Sequence, residues 1–293
     1  MAKIAFLGLG VMGYPMAGHL LKKGGHEVTV YNRSAAKAAQ WAKEYGGKSA
    51  ATPKAAATGA DFVMMCVGND DDVRSVVYGE SGANFTLTRT HIGACDFSVE
   101  GKYSYANEPG DRELKAFSIA PDIAGFDPVV YPGIADPGYD LLPMIQEALA
   151  IKQGQRDQEL KIIASAWTAP AWMKDIETWY IPGSAANNWQ GTGGTLKPEY
   201  VATYADYLVR YLDAYADAGV MLWGLTPVNE PHGVGGAWES MAFTPESQND
   251  FVKHHLGPRL KNSKHADARL LIYDQNMDGL EKWACLLYTS RCV

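Results

Sequence analysis

The hexapeptide Thr226-Pro227-Val228-Asn229-Glu230-Pro231 places a carboxyl group directly after a side-chain amide, at the end of the apolar run MLWGLTPV (221–228). An acid lodged among apolar rings loses hydration in its charged form, so its pKa rises and it keeps a proton near neutral pH. Such a group suits general-acid protonation of a leaving oxygen, as in cleavage of a glycosidic bond. An arbitrary glutamate more often caps a loop or pairs with a base; the strand-end position and the neighbouring Asn229 favour the catalytic role. A second set of residues acts through its main chain. Gly8, Gly10 and Gly13 in G-L-G-V-M-G follow the apolar run KIAFLGL and lead, through Met12, into a helix-like stretch from Met16 to Lys23. The first glycine admits a tight turn, the second lets backbone approach a pyrophosphate and the third allows close helix packing. The helix N-terminus adds N–H groups and the positive end of a dipole.

Glycines at this spacing also make purely structural turns, but a second strand, His26 to Tyr31, follows where the ribose-reading residue of a dinucleotide fold is expected. At its end stand Asn32, Arg33 and Ser34 instead of an acid. A guanidinium and a hydroxyl are then available to a 2′-phosphate and no carboxylate repels it, so NADP is favoured over NAD. A further run, Asp61 to Val67, reads as a buried parallel strand. Its end, Val67 and Gly68-Asn69-Asp70, is expected to face the same cofactor.

The elements that must position Glu230 begin near residue 85. Apolar runs at 85–94, 160–167, 221–228 and 268–274 are separated by helical periodicity over Leu141 to Ala150 and Tyr200 to Ala218. The second of these puts Tyr204, Leu208, Tyr211, Leu212 and Tyr215 on one stripe. Strand, loop, helix and strand in alternation predict a parallel sheet or barrel, whose chemistry sits at the C-terminal strand ends. Polar residues cluster there: Asp96 after the first run, Trp167 after the second, Asn229 and Glu230 after the third and Asp274 after the fourth. The predicted fold class is α/β, a partial doubly wound Rossmann unit followed by a partial (β/α)8 TIM barrel.

Composition agrees with a globular chain. Of 293 residues, 47% are hydrophobic and 20% charged, with a mean hydropathy of -0.19, which excludes disorder as a whole. Residues 1–80 carry a net +2 and the remainder a net -9, together the -7 of the chain, and seven of the eight tryptophans follow residue 80. An acidic, aromatic surface suits sugars and not phosphodiester backbones, so no nucleic acid partner is expected. Cys66, Cys95, Cys285 and Cys292 form no CxxC pair and are expected to be free thiols, with no metal site. No 18-residue apolar run exists, and Ile4 to Leu9 runs into a glycine turn without a cleavage site, so neither a membrane span nor a signal peptide is expected and the chain is placed in the cytoplasm.

Several other residues have plainer expectations. His254 and His255 are expected at a surface or packing position, and His91 in the core. Asp70 to Asp72 are expected as a solvated helix start. Trp179 and Trp189, in a loop with Gly183, Gly191, Gly193 and Gly194, either flank a cleft or cover the barrel top.

Residues 1 to about 80 resemble the NADP-binding part of the β-hydroxyacid dehydrogenases (3-hydroxyisobutyrate dehydrogenase-like), through GLGVMGYPMAGHLLKKGGHEVTVYNRS and DFVMMCVGNDDDVRSVVYGE. The resemblance implies NADP contacts at Gly8, Gly10, Met12, Gly13, Asn32, Arg33, Ser34 and Val67. It implies no catalytic residue, because no glycine-rich motif with a suitably spaced lysine follows. Residues from about 83 to 284 resemble glycoside hydrolase family 30, in its glucosylceramidase-like branch, through RTHIGACDFS, KIIASAWTAPAWMK, GLTPVNEP, NDFVKHHLGPRL and LIYDQNMDGLEKWA. By that resemblance Glu230 is the acid/base of a retaining β-glycosidase and Asn229 contacts substrate. Asp96 and Trp167 then hydrogen-bond to and stack on the first sugar. Ala166 stands where the family pattern has proline.

The nucleophilic glutamate of that family belongs to a later strand, and Asp96 and Asp274 are not expected to replace it, so an incomplete hydrolase of β-linked glycosides is expected. The alternative is an NADP-dependent hydroxyacid dehydrogenase fragment, or an NADP-binding module without turnover. Domains are expected at 1–80 and 83–284, with 285–293 an unrelated tail and two coding sequences joined within 76–82.

Overall fold

The computed structural model describes residues 1–293 except 69, 79–80, 84, 99–100, 135, 156–158, 233–234, 277–278 and 290–293. Asn69, Gly79, Glu80, Asn84 and Cys292, which figured in the sequence reading, lie outside the described residues. The chain divides into two compact units: Met1–Thr86 with Ile151–Leu160, and Leu87–Ala150 with Lys161–Val293.

The first unit holds a four-stranded parallel sheet of β1 (Lys3–Leu7), β2 (Glu27–Tyr31), β3 (Lys48–Ser49) and β4 (Phe62–Met65), in the order β3-β2-β1-β4. That order is half of a doubly wound fold, in which the first strand lies inside the sheet and the chain reverses direction beside it. β1 is buried on both faces. Ile4 and Phe6 pack with Val28, Val30 and Trp41 on one side, and Ala5 and Leu7 with Ala56 and Val76 on the other. The helix Ala35–Tyr45 closes one face through Ala38 and Trp41, whose indole N–H donates to the Tyr14 carbonyl at 3.0 Å.

β4 corrects the expectation of a buried strand. Among the described residues it pairs only with β1, at the end of the sheet order, and Phe62 is 58% exposed. An apolar run reports burial only when both of its faces are covered.

The second unit holds β5 (Leu87–Ile92), β6 (Lys161–Ala166), β7 (Gly224–Thr226) and β8 (Arg269–Leu270), all parallel and adjacent in chain order. Sequential order with a helix between strands is barrel winding, distinct from the reversal in the first sheet. The helix Val201–Asp217 covers this sheet with the stripe read from sequence, since Tyr204, Leu208, Tyr211, Leu212 and Tyr215 are all buried. The buried Asp122 accepts hydrogen bonds from the hydroxyls of Tyr103, Tyr105 and Tyr215 at 3.2, 2.6 and 2.5 Å. Burial pushes its carboxyl pKa up while the three donors oppose that shift. Among the described residues no helix is long and apolar enough to cross a membrane.

Candidate functional sites

The strand ends of the second unit bring together the residues expected there. β7 ends at Thr226, and four residues on Glu230 sits in the left-handed region at φ +49°, where a side chain with a Cβ is strained. Two backbone bonds hold it: Asn229 N–H to Ala166 O at 2.6 Å and Glu230 N–H to Asp274 O at 2.7 Å. Ala166 therefore still anchors the turn despite lacking the family proline. The indole N–H of Trp167 donates to Asp96 Oδ1 at 3.0 Å, which ties the ends of β5 and β6 into one surface. Trp167 is mostly buried and Asp96 is exposed, so the acid lies on the open side of the ring.

Partial burial raises the Glu230 pKa above the ordinary glutamate range, and the charges of Asp96 and Asp274 raise it further. Arg89 pulls it the other way. The shift favours the protonated form of a carboxyl that stands beside an exposed acid and a tryptophan.

Arg89 is the residue that sequence reasoning missed. One guanidinium nitrogen lies 2.8 Å from Ser165 Oγ, 2.7 Å from Asn229 Oδ1 and 2.5 Å from Asp274 Oδ2, and the guanidinium stands over the Trp167 ring at 4.7 Å. It thus fixes the orientation of Asn229 and Trp167 together. Its signal was present in the motif RTHIGACDFS, but inside a strand an arginine reads as a solvated edge until its register is known. Asp274 is also engaged by Ser165 Oγ at 2.7 Å.

In the first unit, a cleft of about 300 Å³ is lined by Gly8, Gly10, Asn32, Arg33, Ser34 and Val67 among others. Met12 and Gly13 are not part of its lining. The glycine roles can be separated. Gly8 is at φ +97°, and a Cβ there would meet Cys66 O at 2.2 Å; a Cβ on Gly13 would meet Gly8 O at 2.1 Å, whereas one on Gly10 meets nothing within 4 Å. Gly8 and Gly13 are demanded by packing, while Gly10 borders open space where a pyrophosphate would approach. Asn32 Oδ1 accepts from Leu9 N–H at 2.9 Å and holds the turn in register with β2. The helix Gly13–Lys22 begins without a side-chain cap, which leaves its start to an anion. This cradle fits a dinucleotide.

Here one expectation is corrected. A carboxylate does stand in the cleft: Asp72 Oδ1 lies 2.9 Å from Arg33 Nη1, and its other oxygen accepts from Gly68 N–H at 3.4 Å. Asp72 is therefore not merely a solvated helix start. Chain folding brings it 39 residues across to the guanidinium, a proximity that no local pattern encodes. Of the remaining residues, His254 is exposed, with Asp250 at 3.8 Å, and His91 is half-buried, its Nδ1 2.6 Å from Gly93 O. Cys66 and Cys95 are free thiols.

Parallel strands in barrel order, with Glu230, Asp96 and Trp167 at their C-terminal ends, define an α/β fold of the TIM-barrel kind. The chain belongs to the family described as glycosyl hydrolase family 30 TIM-barrel domain, which matches residues 49–291. Residues 3–80 also match the family described as NADP oxidoreductase, coenzyme F420-dependent. The chain is similar to lysosomal acid glucosylceramidase of Mus musculus, 31% identical over 71% of this chain and 36% of the relative. It is also similar to an uncharacterized oxidoreductase of Shewanella frigidimarina, 52% identical over 46% of this chain and 44% of the relative. Among solved structures it resembles SrfJ from Salmonella typhimurium, with a TM-score of 0.57 and 29% identity over 71% of this chain and 39% of that one. The chain thus spans less than half the length of these relatives.

Proposed function

We propose that the second unit binds a β-linked glycoside with Glu230 as proton donor, Asp96 and Trp167 holding the first sugar and Asn229 contacting it. The observation that carries this reading is the convergence of these four side chains at neighbouring strand ends, with Glu230 in strained backbone and its pKa raised. A glucosylceramidase-like substrate, glucose β-linked to a leaving group, is the preferred class, supported by the motifs around Asp96, Trp167 and Glu230.

Hydrolysis also needs a second carboxyl group, about 5 to 5.5 Å from the first for retention or 6.5 to 9.5 Å for inversion. Among the described residues, the acids that act on Glu230 are Asp96 and Asp274. The first is held by Trp167, and the second by Arg89 and Ser165. The expected behaviour is glycoside binding with little turnover. A thermal melt with the glucose-like iminosugar deoxynojirimycin tests the binding: a rise in Tm that disappears in W167A is expected, and no rise at millimolar ligand overturns the reading.

The cleft beside Gly8, Gly10 and Arg33 favours a second reading, that the first unit binds NADP, as in a hydroxyacid dehydrogenase without its catalytic part. Quenching of tryptophan fluorescence by NADPH in preference to NADH tests it. The contrast between reversed and sequential strand order supports a division at 1–80 and 83–284, produced by the joining of two coding sequences. Long-read sequencing of source DNA across codons 75 to 90 tests that origin; one continuous native frame in independent isolates would refute it.

A further inference from the structure

Trp283 is buried, at 1% exposure, and its indole N–H donates to Nε2 of His232 at 3.1 Å. An indole nitrogen can only donate, so the imidazole nitrogen that meets it carries no proton. The ring is therefore neutral, with its proton on Nδ1. His232 itself is exposed, so solvent reaches the imidazole while the indole is shut away from it.

This contact closes a seam beside Glu230. His232 follows Glu230 by two residues, and the carbonyl of the intervening Pro231 accepts from Phe243 N–H at 2.7 Å. Across the seam, Asp274 O accepts the Glu230 N–H at 2.7 Å, and Tyr273 beside it lies in the left-handed region at φ +54°. Ring centroids are 5.7 Å apart for His232 and Tyr273, 5.8 Å for His232 and Trp283 and 5.1 Å for Tyr273 and Trp283. Gly279, which precedes the helix Leu280–Thr289, is seated on the same three rings. A Cβ there would lie 3.0 Å from the Tyr273 hydroxyl and 3.4 Å from the His232 ring. One imidazole thus joins the turn that carries Glu230, the chain beyond β8 and the start of a helix.

Protonation reverses the sign of the contact. Both nitrogens of an imidazolium are donors, so two N–H groups would face each other where a hydrogen bond stands now. A buried N–H stripped of its acceptor is destabilising, and the helix that holds Trp283 bears that loss. The charges around the ring assist the exchange. Glu246 and Asp250, from the helix Pro245–Asp250, and Lys282, from the helix of Trp283, line with His232 a cleft of about 690 Å³. Glu281 is not part of that lining. Tyr273 and Asp274 follow β8, with Asp274 engaged by Arg89 and Ser165, and Glu230 belongs to the same segment as His232. Lys282 opposes a second cation, whereas the carboxylates of Glu246 and Asp250 attract it toward the cleft and away from the indole. We propose that His232 is an acid-released latch between the helix Leu280–Thr289 and the turn that carries Glu230, closed while the imidazole is neutral and open once it is protonated. The latch does not depend on which ligand Glu230 serves.

The test follows tryptophan emission and amide exchange of the full chain against pH, beside H232Q and W283F. Glutamine places an amide oxygen within reach of the indole and accepts from it without titrating, and W283F identifies the signal of Trp283 among the eight tryptophans. The expected result is that the emission present in wild type and absent in W283F falls by about half between about pH 7.5 and about pH 5, as the imidazole charges beside the indole. H232Q shows no such fall. Amides of residues 280–286 in wild type exchange about five- to tenfold faster than those of H232Q at the acid end and equally at the neutral end, the change set by one lost hydrogen bond. W283F, which has no N–H to give, exchanges at the released rate throughout. Parallel emission profiles in wild type and H232Q overturn the proposal. Exchange in 280–286 that is the same in wild type and H232Q at both ends, or as slow in W283F as in neutral wild type, overturns it as well.

Discussion

In the first unit the candidate cleft is framed by a main-chain turn at Gly8–Gly10, between a strand and a helix, joined by residues 31–34, 66–68, 72, 75 and 76. In the second it is made of side chains, and the pair that organises it, Arg89 and Asp274, is separated by 185 residues. A turn forced by short-range sterics survives as long as its glycines do. A side-chain cluster exists only if four strands take the right register, and one residue of slip would turn Arg89 and Ser165 to the other face. The first site is therefore sensitive to added volume and the second to removed charge.

The sharpest way to break this contrast is to add volume. Gly13→Val places a branched side chain where even a Cβ would lie 2.1 Å from Gly8 O, and a loss of about 3 to 5 kcal/mol is expected. The readouts are loss of NADPH quenching and a lower melt, with deoxynojirimycin binding retained. Gly10→Ala, which meets open space, should leave the melt unchanged and weaken NADPH about tenfold or more by blocking the approach of the pyrophosphate. Equal effects from both substitutions would refute the separation of glycine roles.

Next in size is removal of charge from the second site. Arg89→Met leaves Asp274 and Asn229 without their guanidinium. Since that side chain is 39% exposed, about 1 to 2 kcal/mol of stability is expected to go, together with most of the iminosugar shift. Denaturant melts at two salt concentrations check the first part.

How much of this was legible in sequence follows the same division. Gly8, Gly10, Gly13, Asn32 and Arg33 could be read because a βα turn is local and its spacing is fixed by backbone geometry. Asp96, Trp167, Asn229 and Glu230 could be read as strand-end residues because alternating strands and helices imply which end carries chemistry. Arg89 could not, because its function depends on β5 pairing with β6 in the register Arg89 opposite Ile163, which no single run reveals. The burial of β4 was misread for a related reason: position in a sheet is a property of the strand order, and Phe62 looks the same in sequence at an edge or a centre. Asp72 was misread because helix-start acids are usually satisfied by the dipole, whereas here a turn of chain delivers the carboxylate to Arg33.

Smaller effects refine the electrostatics of each site. The Glu230 pKa is raised in the folded protein, so the protonated form is favoured there and ionisation costs folding free energy. Its contribution is fully present below the ordinary glutamate range and is lost as pH rises through the raised folded value. E230Q, which does not titrate, should therefore match wild type in melts near pH 4 and become the more stable of the two by a margin that grows toward pH 7. A margin that shrinks with pH would mean that the charged form is the favoured one. The smallest expected effect is that of Asp72→Asn, which frees Arg33 from a surface ion pair. NADPH should bind about two- to fivefold tighter with NADH unchanged, as measured by fluorescence quenching.

The account as a whole is tested most directly by the rate at which purified protein releases p-nitrophenol from p-nitrophenyl β-glucoside, beside E230Q. The predicted result is release indistinguishable from the E230Q background while deoxynojirimycin still raises the melting temperature. Sustained release by wild type that vanishes in E230Q would contradict it, because a working attacker would then have to stand opposite Glu230.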